Sequence, residues 1–140
     1  MGGMRILVAG DVRGNLTQLY NRVNKLLAKG QRFDALFCVG DFFGSKRPTD
    51  DPEWMSYVNS LKKPPISTYV LGANNAQHSN YFTEKDGYEL ADNITYLGNH
   101  GVITMTPDNE PTAEPLSVCY SAFKKSSPTA SICLFLRFLK

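Results

Sequence analysis

The spacing of apolar residues over positions 5–39 is typical of a strand, a helix and a second strand. Residues 5–9 form a short, almost continuous apolar run that ends in a Gly-Asp pair, as in a strand buried on both faces. Apolar residues then recur at helical spacing up to Gly30, and Asn15 is placed to cap this helix. Residues 35–39 repeat the apolar run and the Gly-Asp ending. We therefore predict a βαβ unit with two parallel strands.

The apolar pattern continues with a second helix, a third strand and a less regular second half. A helix is predicted from Asp51, as its cap, through Leu61, and residues 66–71 predict a third strand. Two later strands would form a hairpin or a strand pair around a turn at residues 98–101. We therefore expect an α/β domain with an open sheet. The later strands are predicted at residues 94–97, 102–105 and 116–120.

Composition is that of an ordinary globular chain and excludes two classes of protein. The 140 residues are 42% hydrophobic and 20% charged, which excludes a chain that is disordered throughout. No apolar run approaches the roughly 20 residues that a membrane-spanning helix needs, so no membrane partner is expected. Three cysteines without CxxC spacing, Cys38, Cys119 and Cys133, are expected to be reduced thiols of an intracellular protein.

The net charge of +2 conceals an uneven distribution of charge along the chain. Residues 1–63 hold ten Lys and Arg against six Asp and Glu. Residues 64–114 hold one against seven, and residues 115–140 hold four against none. This distribution excludes a uniformly basic nucleic-acid binder but allows one with a basic face.

Candidate chemistry is concentrated where the first three predicted strands end. The motifs there are residues 10–14 (GDVRG), residues 40–44 (GDFFG) and residues 72–75 (GANN). In an open α/β sheet, ligands bind at the edge formed by the carboxyl ends of the strands. We therefore expect these three motifs to line one cleft. Phe42 and Phe43 are expected to belong to the core instead, because aromatic residues after a buried strand usually do.

Together these motifs resemble the first three signatures of the calcineurin-like metallophosphoesterases, which are GDxHG, GDxxD and GNHD or GNHE. The resemblance implies an αββα sandwich, incomplete here at its C-terminus, with Asp11, Asp41 and Asn74 at metal-ligand positions of the family. In that family, two metals polarise a phosphodiester and generate the hydroxide that attacks it. Such a centre requires several oxygen and imidazole ligands, so each departure from the signatures matters.

The sequence departs from the signatures where the metal chemistry is most demanding. Arg13 stands where the metal-binding His of the first signature is expected, and Gly44 replaces the last Asp of the second. The third motif has no His. A guanidinium cannot ligate a cation and repels one at short range. The two histidines of the chain, His78 and His100, are expected to be exposed and not to act as ligands.

A closer resemblance, over residues 6–101, is to the N-terminal domain of CwfJ-family splicing factors. It implies a nuclear, spliceosome-associated protein related to the lariat debranching enzyme, with a degenerate metal site. Spliceosomal or lariat-debranching proteins would be its partners. We expect residues 1–120 to form this domain and residues 121–140 to form a divergent basic and apolar tail. The residues that carry the resemblance are 36–44 (LFCVGDFFG), 68–75 (TYVLGANN) and 89–98 (ELADNITYLG).

The resulting hypothesis is a non-catalytic metallophosphoesterase-like module that acts in pre-mRNA splicing or lariat RNA turnover. Arg13 would anchor an RNA phosphate at a helix N-terminus, and Lys46 and Arg47 would contribute from the next loop. No cofactor is expected beyond weak binding of Mn²⁺ or Mg²⁺.

Three alternatives stay open at the level of sequence. Arg13 could form an internal ion pair with Asp11 or Asp41 instead of binding phosphate. The chain could be a divalent-metal-dependent phosphodiesterase acting on RNA through Asp11, Asp41 and Asn74. It could also be an inert scaffold for protein partners.

Overall fold

The computed structural model describes residues 4–72, 76–107, 112, 115–123 and 133–139. These residues form two sheets and the helices that pack against the larger one. Along the chain the elements are β1 (Ile6–Ala9), α1 (Leu16–Ala28), β2 (Ala35–Cys38), a 3-10 helix (Pro48–Asp50), α2 (Pro52–Val58), β3 (Thr68–Val70), α3 (Ala76–Ser79), β4 (Tyr88–Ala91), β5 (Ile94–Tyr96), β6 (His100–Met105), β7 (Leu116–Phe123) and β8 (Cys133–Leu139).

The larger sheet has five strands in the order β1-β2-β3-β5-β4. β1, β2, β3 and β5 are parallel neighbours, and β4 runs antiparallel to β5 at one edge. Helix α1 connects β1 to β2, which confirms the predicted βαβ unit. The fold is therefore a mixed α/β architecture with a largely parallel central sheet, as the resemblance to metallophosphoesterases implies.

The hairpin predicted around residues 98–101 is wrong. β5 lies between β3 and β4 in the larger sheet, whereas β6 pairs with β7 in a second sheet of order β6-β7-β8. The physical reason is that β5 has a strand on each side and no free edge for β6. Gly98, at φ +90°, packs against the backbone of residues 85–87, so the chain leaves the larger sheet at this point.

Helix α2 ends at Val58, three residues before the predicted end at Leu61. Ser60 adopts a positive φ of +58°, which stops the helix, and its hydroxyl donates a hydrogen bond of 2.8 Å to Asp92. The predicted cap is confirmed, because the Asp51 side chain accepts a hydrogen bond from the Glu53 amide.

Two apolar clusters lie on the two faces of the larger sheet. The first joins the sheet to α1 and α2 and contains Phe42, Phe43, Trp54 and Tyr57, which confirms that both phenylalanines belong to the core. Burial in this cluster raises the pKa of the Cys38 thiol to about 12. The second cluster lies between the two sheets and is built from Ala35, Phe37, Leu71, Leu97, Met105 and Val118.

No helix among the described residues combines the length and the apolar composition needed to cross a membrane.

Candidate functional site

The loops after β1 and β2 lie side by side at the carboxyl edge of the sheet. The Asp41 amide donates a hydrogen bond of 2.8 Å to Oδ1 of Asp11, so the two residues lie next to each other at this edge. The Arg13 amide donates to the Asp41 carbonyl at 2.9 Å, and the Gly14 amide donates to the Phe42 carbonyl at 2.8 Å. The structure therefore brings the first two motifs together, as the βαβ topology predicts.

Two glycines make the close approach of these loops possible. A Cβ on Gly44 would lie 2.7 Å from the Arg13 carbonyl oxygen. A Cβ on Gly40, which has φ +90°, would collide with the Asp11 carboxylate. Glycine is thus required at both positions for reasons of space, and at Gly40 also for reasons of backbone conformation.

Arg13 pairs with the carboxylate that the resemblance assigns to a metal. Its Nη2 lies 3.3 Å from Oδ2 of Asp11, while the backbone adopts a φ of +49°, which is uncommon outside glycine. The two side chains are 65% and 45% exposed, so the pair contributes about 0–1 kcal/mol to stability. The internal ion pair is thus formed with Asp11, and the guanidinium still faces solvent.

The start of α1 is occupied by an internal carboxylate. The Thr17 amide donates its hydrogen bond to Oε1 of Glu53, which comes from α2. Asn15 does not cap the helix with its side chain, contrary to the prediction, because Glu53 supplies the acceptor. A phosphate next to Arg13 would therefore rely on cationic side chains more than on the helix N-terminus.

Lys46 and Arg47 are exposed on the loop that follows β2. Gly44 belongs to the same loop, and its amide nitrogen lies 3.3 Å from where a Cβ on Gly14 would be. The loop that carries the two cations therefore packs against the loop that carries Arg13. Asn74, the third predicted metal position, lies outside the described residues.

His78 is buried, which corrects the expectation that it is exposed. Its side chain is 10% accessible, and Nδ1 lies 4.0 Å from Oδ1 of Asp41. The ring also stacks on Tyr81, with 5.3 Å between the centroids. The short helix α3 positions His78 beside Asp41, and no periodicity in the sequence signals a helix of this length. His100 is exposed at the start of β6, as expected.

The described residues do not fit a two-metal centre. One oxygen of the Asp11 carboxylate accepts the Asp41 amide, and the other faces the Arg13 guanidinium, which would repel a cation. Within residues 4–72, 76–107, 112, 115–123 and 133–139, no three His, Cys, Asp or Glu side chains form a group that could hold a metal ion. We therefore derive no metal-dependent step from this site.

Comparison with known proteins identifies the family. The profile described as calcineurin-like phosphoesterase matches residues 4–125, and the chain belongs to this family. It is similar to CWF19-like protein 1 of Homo sapiens, Mus musculus and Xenopus laevis, with 52%, 54% and 48% identity over 101 residues. Each alignment covers 72% of this chain and 18% of the relative, so the chain spans about a fifth of the length of these curated relatives.

These similarities confirm the two resemblances drawn from the strand-end motifs. The chain contains a metallophosphoesterase-like domain of the CwfJ family. The division into residues 1–120 and 121–140 stays a prediction. β7 continues through Phe123, and β8 pairs with it from Cys133 to Leu139.

Proposed function

We propose that this domain is a non-catalytic, phosphate-binding module of pre-mRNA splicing that contacts the RNA backbone with Arg13. The observation that carries the proposal is the Arg13 side chain, which stays 65% exposed although it pairs with Asp11. It sets a solvent-facing guanidinium at the strand ends, where the family's signatures have a metal-binding imidazole. A guanidinium there favours a bound phosphate and disfavours a bound cation.

The charges around Arg13 support this proposal. Lys46 and Arg47 are exposed on the adjoining loop, and both are long enough to reach along a phosphate backbone. The Asp11 carboxylate offsets part of the positive charge of Arg13, and the Glu53 carboxylate already accepts the Thr17 amide at the start of α1. Binding is therefore expected to be weak, dominated by side-chain cations, and strongly dependent on salt.

The assignment to splicing rests on family membership. The similarity to CWF19-like protein 1, together with the resemblance to CwfJ-family splicing factors, supports a role in splicing or lariat RNA turnover. On this proposal the protein works in the nucleus with spliceosomal or lariat-debranching proteins. It needs no cofactor, although weak binding of Mn²⁺ or Mg²⁺ is compatible with the role.

The test is the affinity of the Arg13→Ala variant for a fluorescent single-stranded RNA at two salt concentrations. If Arg13 contacts phosphate, the variant should bind more weakly at low salt, and the slope of log affinity against log salt should fall by about 0.7. Arg32→Ala is the matched control, because Arg32 is exposed and lies before β2, toward the opposite edge of the sheet. An affinity and a salt slope unchanged by Arg13→Ala would reject the role of Arg13.

A second candidate is a metal-dependent phosphodiesterase, and it is favoured by one pair of side chains: His78 Nδ1 lies 4.0 Å from Oδ1 of Asp41, which stands at a metal-ligand position of the family. Calorimetric titration with Mn²⁺, followed by assays on branched and linear RNA, distinguishes it from the first. Turnover that is lost in Asp41→Asn would overturn the non-catalytic proposal. If the protein bound neither metal nor RNA, the result would support the third alternative, an inert scaffold for protein partners.

A further inference from the structure

Helix α1 presents to solvent a face that carries positive charge and no negative charge. Residues 12–30 contain four Lys and Arg and no Asp or Glu. Three of these cations, Arg22, Lys25 and Lys29, are exposed on α1 or directly after it. At about 100° of rotation per residue, they lie within about 60° of one another around the helix axis. We call these three residues the basic stripe.

The direction of the basic stripe follows from the packing of α1 on the larger sheet. The buried residues of the helix, Leu16, Tyr20 and Val23, lie on the opposite side of its axis. The stripe therefore faces away from the sheet. This direction is set by the buried face of α1 and does not depend on what lies beside β1.

The helix dipole explains only part of this charge pattern. It favours a basic residue in the last turn, here Lys25, and an acidic residue in the first turn. The first turn of α1 has no acidic residue, and Glu53 of α2 supplies the carboxylate there. No described carboxylate forms an ion pair with the basic stripe. The charge of the stripe is therefore available to an anionic ligand.

The side chains around the stripe favour a nucleic-acid backbone over other anionic partners. Gln18, Asn21 and Asn24 are exposed on the same helix, and amide side chains contact phosphate and sugar oxygens. None of the large exposed apolar residues lies on α1. A protein interface is usually centred on aromatic or apolar anchors. A membrane-bound helix buries its apolar face in lipid, whereas the apolar face of α1 is in the core.

The stripe is continuous with the site at the strand ends. α1 begins at Leu16, three residues after Arg13, and Gln18 lies one turn before Arg22. Side chains three or four residues apart on a helix lie about 5–6 Å from each other, so the stripe spans about 10 Å. Gly30, at φ +80°, turns the chain at the end of the helix, so Arg32 does not continue the stripe.

We propose that the basic stripe of α1 binds the phosphate backbone of single-stranded RNA and continues the contact made at Arg13. Successive phosphates pair with Arg22, Lys25 and Lys29, and the exposed amides contact the backbone between them. Because these groups reach only the backbone, binding is expected to be independent of base sequence. The inference rests on the RNA binding proposed above, but not on the contact between RNA and Arg13.

The test is the salt dependence of binding to a fluorescent oligouridylate. The stripe variant combines Lys25→Ala and Lys29→Ala, and alanine preserves the helix. We expect weaker binding at low salt, with the slope of log affinity against log salt lowered by about 1.4, since each lost phosphate contact lowers it by about 0.7. The control combines Lys63→Ala and Lys85→Ala, two exposed lysines elsewhere, and changes the net charge equally.

The outcomes separate this inference from the role of Arg13. A salt slope lowered by Arg13→Ala but not by the stripe variant would overturn the inference and leave the proposed function in place. A slope lowered by the stripe variant but not by Arg13→Ala would support the stripe and reject the role of Arg13. Equal losses in the stripe variant and in its control would also overturn the inference, and an absence of RNA binding would overturn both proposals.

Acetylation of lysines, read by mass spectrometry, locates the contact on the unmodified chain. Bound oligouridylate should protect Lys25 and Lys29 and leave Lys63 and Lys85 as reactive as in the free protein. Equal protection of all four would overturn the inference. So would displacement of RNA by polyglutamate as effective as that by unlabelled RNA of equal charge, which indicates an acidic protein. Tighter, stripe-dependent binding to phosphatidylserine vesicles would indicate a membrane and overturn it as well.

Discussion

At the scale of single residues, Asp11 stands at a metal-ligand position of the family, but both of its carboxylate oxygens contact other parts of the protein. It accepts the Asp41 amide through one oxygen and pairs with Arg13 through the other. The first contact joins the loop after β1 to the loop after β2, and the second lies within the loop after β1. The space for the carboxylate exists because Gly40 has no side chain. The position of the Asp11 carboxylate therefore depends on Gly40, although Gly40 has no side chain that could bind a ligand.

The Gly40→Ala substitution should destabilise the protein by about 1–3 kcal/mol. The new Cβ would meet the Asp11 carboxylate, and the backbone would have to keep φ +90° with a side chain present. Gly10→Ala is the matched control, because a Cβ there has no heavy atom within 4 Å. Urea unfolding of both variants measures the difference. Equal stability of the two variants would contradict the role given to Gly40.

At the scale of elements, the first half of the fold follows from local signals. The bounds of β1, α1 and β2 agree with the predictions to within a residue or two, because apolar periodicity and Gly-Asp endings are local. The local pattern gives no signal for β4, whose burial alternates weakly, or for the four-residue helix α3. The cap predicted for α1, Asn15, is wrong. The acceptor is Glu53, which is distant in sequence and near only after α2 has packed.

The Glu53→Ala substitution should destabilise the protein by about 0.5–2 kcal/mol, because the Thr17 amide would lose its acceptor and the start of α1 its negative charge. Glu53→Gln should cost less, since it keeps an acceptor. Thermal unfolding and the exchange rate of the Thr17 amide measure both effects. Glu84→Ala, an exposed loop position, is the control. Unchanged exchange at Thr17 in Glu53→Ala would contradict the assigned cap.

At the scale of the whole molecule, two sheets pack face to face through a second apolar cluster. Val118 and Leu97 are buried there, and the Tyr120 hydroxyl donates a hydrogen bond of 2.6 Å to the Leu97 carbonyl. The tyrosine ring fits because Gly101 has no side chain, since a Cβ there would lie 2.6 Å from the hydroxyl oxygen. This contact ties β7 to the end of β5 and so fixes one sheet on the other.

The Tyr120→Phe substitution should lower the free energy of unfolding by about 0.5–1.5 kcal/mol, because the Leu97 carbonyl loses its donor. Tyr81→Phe is the control, since its hydroxyl makes no hydrogen bond with the described residues. Chemical denaturation of both variants gives the comparison. A loss no larger in Tyr120→Phe than in Tyr81→Phe would contradict a stabilising contact between the sheets.

The sequence by itself determined the α/β class, the parallel strands, the strand-end motifs and the family, because these depend on local periodicity and short signatures. It also identified Arg13 as the residue that breaks the metal pattern. Only the tertiary structure decided that Arg13 pairs with Asp11, that His78 lies against Asp41, and that β6 pairs with β7 in a second sheet. These facts depend on contacts between segments far apart in the chain, which no local pattern encodes.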